Sequence, residues 1–147
     1  MQISSRFTVA LHIFSCVETF KDDYKVTSDF LASSINTNPV IIRKILSQLK
    51  NAGLIKVARG TGGIELLRPV EDITFYDVYQ AVEVVENDTL FHFHENPNPE
   101  CPVGRNIHKL LDDKLSAIQG AMEEEMRKYS IADLQSGMQE LLSEGNS

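Results

Sequence analysis

The stretch that decides the fold covers residues 38–68 and reads NPVIIRKILSQLKNAGLIKVARGTGGIELLR. Asn38 followed by Pro39 is typical of a helix start, because the missing N–H of proline costs nothing at the first helical position. Gly53 can take the left-handed conformation that ends a helix. We therefore predict a helix over residues 39–52. Its apolar side, spaced at the helical period, holds Ile42, Ile45, Leu46 and Leu49.

A β-hairpin is predicted directly after this helix. Two short β-prone runs, at residues 54–58 and 64–67, flank the glycine-rich segment Arg59-Gly60-Thr61-Gly62-Gly63, and this arrangement is typical of a hairpin. The segment does not match a phosphate-binding loop, because it lacks the Gly-Lys-Ser/Thr end and does not open a helix.

Two further helices are predicted upstream of this stretch. The first covers residues 4–20 with Ser4 or Ser5 as its cap, and a short second helix begins at Thr27-Ser28-Asp29. A helix, a helix-turn-helix and a hairpin in this order form a winged helix-turn-helix. The predicted fold class is therefore mainly α with a small β-wing.

The total charge of -7 conceals a marked asymmetry along the chain. Residues 1–68 carry nine cations and five acids, whereas residues 69–147 carry five cations and sixteen acids. No acid occurs from residue 30 to residue 64, which holds five cations. Such a surface can dock on a polyanion, since salt confines the influence of the acidic half to about 8–10 Å. The alternative to polyanion binding is that this cationic surface is only a solvent-exposed face with uneven charge.

The helix over residues 39–52 is the part of this surface best suited to DNA. The side opposite its apolar stripe has no carboxylate and carries Asn38, Val40, Arg43, Lys44, Ser47 and Gln48. A helix without carboxylates on its outer side can enter a major groove and meet bases and phosphates. Arg59 at the hairpin tip is expected to reach the adjacent minor groove.

Length and composition restrict the other classes of function. A chain of 147 residues with 42% apolar and 24% charged residues fits one domain, or one small domain with an appendage. Two cysteines cannot form a disulfide framework. No stretch approaches the ~18 apolar residues of a membrane span, and the N-terminal stretch lacks a cleavage site for a signal peptide. We therefore expect a cytoplasmic protein with no membrane partner.

A long helix is predicted over residues 102–129 near the C-terminus. Its apolar stripe extends over about 22 residues, or ~33 Å, and comprises Ile107, Leu111, Leu115, Ile118, Met122, Met126 and Tyr129. A winged domain of this size has too little surface to cover such a stripe, so a second copy of the same helix is the expected partner. We divide the chain into a winged helix-turn-helix DNA-binding domain, residues 1–70, and a dimerisation and sensor region, residues 71–147. A last helix is predicted over residues 131–142.

Three motifs resemble the Rrf2 (Rrf-two) family of bacterial winged-helix transcription regulators. These are Met1-Gln2-Ile3-Ser4-Ser5-Arg6-Phe7, Asn51-Ala52-Gly53-Leu54-Ile55 and Arg59-Gly60-Thr61-Gly62-Gly63. The resemblance implies a homodimeric repressor that binds a palindromic operator in double-stranded DNA. Carried over by position, it implies DNA contacts by Ser4, Ser5, Arg6, Ser28, Asn38, Pro39, Val40, Arg43, Lys44, Arg59, Gly60 and Thr61.

The chain departs from the resemblance at the sensor. Cluster-binding members have three cysteines before the long helix, but here only Cys101 is present, with Glu95 and Thr89 at the other two positions. We therefore expect no iron-sulfur cofactor. Cys101 precedes Pro102 at the start of the long helix, where the helix dipole and Arg105 favour a thiolate.

Cys101 is thus the candidate redox sensor, and the alternative is that both cysteines, Cys101 and Cys16, are inert. A metal site is not expected among the nearby residues, because their spacing matches no known zinc finger. These residues are His92, His94, Cys101 and His108. An enzyme is also not expected, because Cys101 and His108 are two helical turns apart. The rival to DNA binding is a winged-helix interaction module whose basic face meets an acidic protein.

Overall fold

The computed structural model describes residues 4–58, 63–83, 91 and 93–145. The predicted fold class is confirmed: helices dominate, and one small antiparallel sheet follows the third helix. In chain order the elements are α1 (Ser5–Phe20), α2 (Ser28–Ile35), α3 (Pro39–Asn51), β1 (Ile55–Val57), β2 (Ile64–Leu66), a 3-10 turn (Val70–Asp72), α4 (Phe75–Val82), α5 (Pro102–Met126) and α6 (Ile131–Gly145).

Local capping explains where the first three helices begin. Ser4 caps α1, the side chain of Thr27 accepts from the N–H of Phe30, and Asn38 Oδ1 accepts from the N–H of Val40 at 2.7 Å. Each cap satisfies one N–H that has no partner within its own helix. Gly53 has a φ of +77°, so the predicted left-handed stop after α3 is confirmed.

The hairpin docks against the segment that leads into α2. β1 and β2 pair in antiparallel register with Val57 opposite Ile64, and the N–H of Ile64 donates to the carbonyl of Val26 at 3.1 Å. A Cβ on Gly63 would lie 3.1 Å from Cβ of Lys25, so the strands approach this segment closely. The hairpin tip, with the predicted contacts Arg59, Gly60 and Thr61, lies outside the described residues.

Helix α1 lies at the centre of the packing. It contacts α2, α4 and α6, and α4 also packs on α3. The buried cluster joins residues from both sides of residue 70, since Ile13, Phe14 and Leu31 share it with Val78 and Ile131. The proposed division of the chain at residue 70 remains a prediction. None of the helices in the described ranges combines the length and apolarity needed to cross a membrane.

The predicted extent of the long helix was wrong at its C-terminal end. α5 ends at Met126, three residues before the predicted end at Tyr129. The carbonyl of Tyr129 instead accepts from the N–H of Phe75 at 2.8 Å, and the N–H of Ile131 donates to the carbonyl of Ile73 at 2.8 Å. These two bonds tie the chain to the start of α4 and prevent the helix from continuing. α6 then extends to Gly145, beyond the predicted residue 142.

Candidate nucleic-acid interface

The outer side of α3 carries exposed side chains, as the sequence pattern predicts. Arg43 and Lys44 are exposed, and Val40 has 62% of its surface accessible. Ile41 is 45% exposed and joins this side, although the periodicity had not assigned it to either side. Gln48 was predicted here but is half-buried, and its Nε2 donates to the carbonyl of Val82 in α4 at 3.5 Å. Burying the amide next to α4 removes Gln48 from the candidate surface.

The cations of α3 are not neutralised by neighbouring carboxylates. Across residues 4–58, 63–83 and 93–145, no acid forms an ion pair with Arg43, Lys44 or Lys50. By contrast, Lys56 in β1 pairs with Glu65 in β2 at 3.0 Å. The positive surface expected from the acid-free stretch is therefore concentrated on α3, where three charges remain available for phosphates.

A cleft of about 290 Å³, which we call the α2–α3 cleft, lies between the start of α2, the outer side of α3 and the hairpin. It brings together two of the predicted contacts, Ser28 and Arg43, and adds Ser47 and Lys50. Ser28 is the first residue of α2, a position where backbone N–H groups favour an anion. Asp29 follows Ser28 but does not line the cleft. The arrangement suits a phosphate group that contacts a helix start and two cations together.

The start of α1 is a separate part of the surface. The N–H and the Oγ of Ser4 both donate to Glu83 Oε1, at 3.1 and 2.8 Å, and Arg6 Nε donates to Ser4 Oγ at 3.3 Å. Ser5 is exposed beside them, and none of the three lines the α2–α3 cleft. Sequence reasoning missed the contact with Glu83, because no local pattern links residues so far apart along the chain.

Comparison with known proteins identifies the family. The Rrf2 family model, described as an iron-dependent transcriptional regulator, matches residues 3–137. The chain belongs to the Rrf2 family. It is 41% identical over 132 residues to YwnA of Bacillus subtilis (strain 168), which is named as an HTH-type transcriptional regulator, and the match covers 90% of this chain and 96% of YwnA.

Solved structures agree with the Rrf2 assignment. One described as a DNA binding protein is 36% identical, with a TM-score of 0.72 over 88% of this chain and 98% of that chain. One described as a transcriptional regulator from Lactobacillus plantarum is 28% identical, with a TM-score of 0.76 over 92% and 90%. The protein is therefore a DNA-binding transcriptional regulator and not an enzyme.

Cys101 occupies the N-cap position of α5, as predicted. Its side chain is exposed and makes no capping hydrogen bond. The nearby backbone N–H groups of Gly104 and then Val103 nevertheless lower the pKa of the Cys101 thiol below its ordinary value. The Arg105 guanidinium, which was expected to add to this effect, donates to the carbonyl of Pro99 at 3.3 Å. The backbone at the helix start is thus the cause of the lowered pKa.

The second cysteine has the opposite character. Cys16 is 5% exposed in the core, and burial raises the pKa of its thiol while a hydrogen bond with Ser34 partly offsets the rise. The description of the Rrf2 family model names an iron-dependent regulator. Cys16 and Cys101 do not fit a shared iron-sulfur cluster, because Cys16 is buried in α1 and Cys101 is exposed at the start of α5.

The histidines near Cys101 form a small ring cluster. The rings of Phe93 and His108 lie 4.4 Å apart, and His108 Nε2 lies 3.0 Å from the carbonyl oxygen of His94. His92 lies outside the described residues. Among the residues that the structure describes, no three histidine, cysteine or acidic side chains come together as metal ligands.

Proposed function

We propose that this Rrf2 regulator is a homodimeric, cytoplasmic repressor that binds a palindromic operator in double-stranded DNA. The observation that carries the proposal is the α2–α3 cleft, where Ser28, Arg43 and Lys50 converge and no acid occurs among the described lining residues. In this arrangement α3 enters the major groove, and the cleft holds a backbone phosphate. Two copies would place two α3 helices on half-sites one helical turn, or a multiple of it, apart.

The DNA contacts we propose are the residues implied by the family resemblance. They have different roles, since Arg43 and Lys44 are free to meet bases or phosphates whereas Asn38 Oδ1 is already used in the cap of α3. The start of α1 would contact the DNA backbone through Ser5 and Arg6. The tip residues Arg59, Gly60 and Thr61 are proposed to approach the minor groove.

The test is a mobility shift with a genomic fragment selected by the purified protein. Arg43→Ala and Lys44→Ala should each weaken binding by about 1–3 kcal/mol, or reduce the salt slope by about one. Lys128→Ala is the control, because Lys128 lies just after the end of α5 and not on α3, and it already forms an ion pair with Glu125. Equal losses for all three variants, or a flat salt slope with duplex DNA, would favour an acidic protein partner instead.

Repression follows if the bound dimer covers promoter DNA. The amount of transcript made in vitro from the selected promoter should fall as wild-type protein is added. It should fall much less when the Arg43→Ala variant is added instead. An increase in transcript would indicate an activator and would contradict this part of the proposal.

We further propose that Cys101 makes DNA binding responsive to thiol oxidation, without an iron-sulfur cluster. An exposed thiol of lowered pKa is the kind that oxidants attack first. Mild peroxide should change the operator affinity of the wild type and leave Cys101→Ser unchanged, whereas Cys16→Ser should behave as the wild type. Identical responses of wild type and Cys101→Ser would rule out this sensor.

A further inference from the structure

A second cleft, which we call the α1–α6 cleft, lies between α1, α2 and α6. Its lining is more apolar than that of the α2–α3 cleft. It has a volume of about 480 Å³, within the range of about 300–1,000 Å³ that is usual for small-molecule sites. Among the residues that the structure describes, its lining contains no lysine, arginine, aspartate or glutamate. Leu11, Leu134 and Met138 supply much of its apolar wall. Such a cleft disfavours phosphates and other ions, because a buried charge would have no partner.

Apart from Thr8, whose Oγ1 donates to the carbonyl of Ser5, the polar side chains that line this α1–α6 cleft belong to two hydrogen-bonded sets. In the first set, Ser15 Oγ donates to Gln135 Oε1 at 3.1 Å and Gln135 Nε2 donates to Thr19 Oγ1 at 2.8 Å. These groups already satisfy one another and hold α6 on α1. They are therefore structural and leave little hydrogen-bonding capacity for a ligand.

The second set is a chain of three side chains with capacity to spare. Cys16 Sγ lies 3.3 Å from Ser34 Oγ, which lies 3.4 Å from His12 Nε2. In the described part of the chain the other ring nitrogen of His12 has no hydrogen-bond partner, and His12 is exposed. His12 therefore offers one donor or acceptor at an otherwise apolar cleft.

We propose that the α1–α6 cleft binds an uncharged, mostly apolar small molecule that carries one hydrogen-bonding group. The apolar part packs against Leu11, Leu134 and Met138, and the polar group meets His12. Ser34 belongs to α2, the first helix of the helix-turn-helix. A ligand that contacts the Cys16–Ser34–His12 chain therefore also affects the position of the helix-turn-helix that binds DNA. This last consequence, and only this one, rests on the proposed function.

N-phenyl-1-naphthylamine is a suitable probe, because it is uncharged, aromatic, carries one N–H and fluoresces in apolar surroundings. The chain contains no tryptophan, so the background signal is small. We expect a saturable fluorescence rise with one probe per chain. The related anion 8-anilinonaphthalene-1-sulfonate should bind this cleft at least about tenfold more weakly, because no cation lines it.

Leu134→Trp tests the position of the probe by filling the cleft. The control is Lys109→Trp on α5, where the native side chain is exposed, lies away from the apolar stripe and does not line the cleft. We expect L134W to lose most of the fluorescence rise and K109W to keep it. Circular dichroism melting checks that L134W is folded.

The two cysteines give a second measurement that needs no variant. Cys16 lines the cleft, whereas Cys101 is exposed on the loop before α5. Saturating probe should slow alkylation of Cys16 by N-ethylmaleimide several-fold and leave Cys101 unaffected, as followed by peptide mass spectrometry.

An unchanged rate at Cys16, or an equal fluorescence rise in folded L134W, would overturn the assignment. Protection of Cys16 that is present without probe and disappears on dilution would also overturn it, because a second copy of the chain would then cover the cleft. All of these measurements are made without DNA, so a failure of operator binding would leave this result intact. If the probe binds, its addition should also change operator affinity in the mobility shift.

Discussion

Two glycines of α5 have opposite surroundings, although the sequence alone does not distinguish them. A Cβ on Gly104 would lie 2.6 Å from the carbonyl oxygen of Asn98, whereas a Cβ on Gly120 would have nothing within 4 Å. The Asn98 oxygen is a backbone atom, so the loop before α5 would have to move to admit a methyl group. The glycine at 104 is therefore required by the contact between this loop and the helix.

Alanine at each position should reveal this difference. Gly104→Ala should lower the free energy of unfolding by about 1–3 kcal/mol, the usual cost of forcing an extra methylene into a packed site. Gly120→Ala should raise it by about 0.5–1 kcal/mol, because alanine loses less backbone entropy in a helix. Urea unfolding measures both, and a gain in stability for Gly104→Ala would contradict the close approach.

The two thiols should titrate in opposite directions from an ordinary cysteine. The backbone N–H groups of Gly104 and Val103 lower the pKa of Cys101, and burial raises the pKa of Cys16. A lowered pKa means that the thiolate of Cys101 appears at a lower pH than in an unfolded chain, and the thiolate of Cys16 appears at a higher pH.

Alkylation by iodoacetamide across a range of pH follows each thiolate separately. The rate at Cys101 should reach half its maximum below the pH found for the same peptide in urea, and Cys16 should do so above it. Because both thiols become equivalent when the chain unfolds, the urea sample is the internal control. Coincident profiles in the folded protein would refute the assigned causes.

At the scale of the helices, one buried amide contributes to the attachment of α6 to α1. Gln135 is 9% exposed and bonds to both Ser15 and Thr19. Gln135→Ala should lower the free energy of unfolding by about 1–3 kcal/mol, because two polar groups on α1 lose their partner in a buried setting. Gln139→Ala, at an exposed position of the same helix, should stay within about 0.5 kcal/mol of the wild type. Thermal or urea unfolding compares the two, and equal effects would argue against the buried network.

Local patterns were sufficient to predict most helices but not their long-range attachments. The start of α3 follows from Asn38-Pro39, and the start of α2 follows from the cap in Thr27-Ser28-Asp29. The end of α5 could not be predicted, because the apolar spacing continues to Tyr129 while a contact with Phe75 turns the chain.

The same distinction applies to the candidate site. The exposed side of α3 follows from periodicity, since Arg43 and Lys44 fall opposite the buried stripe. The inward turn of Gln48 and the pairing of Ser4 with Glu83 were missed, because both depend on α4 and the chain that follows it lying beside α3 and α1. A helical wheel for one helix contains no information about which neighbour packs on its flank.

At the scale of the whole molecule, charge and apolar surface are distributed for different tasks. Three cations of α3, Arg43, Lys44 and Lys50, form no ion pair within the described residues. The second half of the chain carries sixteen of the 21 acids. This acidic half disfavours non-specific contact of α5 and α6 with DNA, because like charges repel at short range. We therefore expect the operator to contact α3, the hairpin and the start of α1, and not α5 or α6.

The long helix α5 is incompletely covered within one chain. It has 25 residues and none of them is buried, and Val103, Leu110 and Ile118 remain more than half exposed. Exposed apolar side chains spread along a helix in this way are unusual on a monomer. A second copy of α5 would bury the stripe and would also place two α3 helices on one DNA duplex.

Ile118→Glu tests this association directly, because a carboxylate in the stripe would lose its hydration when two helices pair. Sedimentation should show a dimer for the wild type and a monomer for I118E at micromolar concentration, and I118E should bind the selected operator fragment at least about tenfold more weakly, since a monomer engages only one half-site. Lys109→Glu is the matched control, as it introduces the same group on the opposite, exposed side of α5. A wild-type chain that sediments as a monomer, or I118E that stays dimeric, would contradict the proposed dimer. It would also contradict the proposal that two α3 helices bind the two half-sites of a palindromic operator.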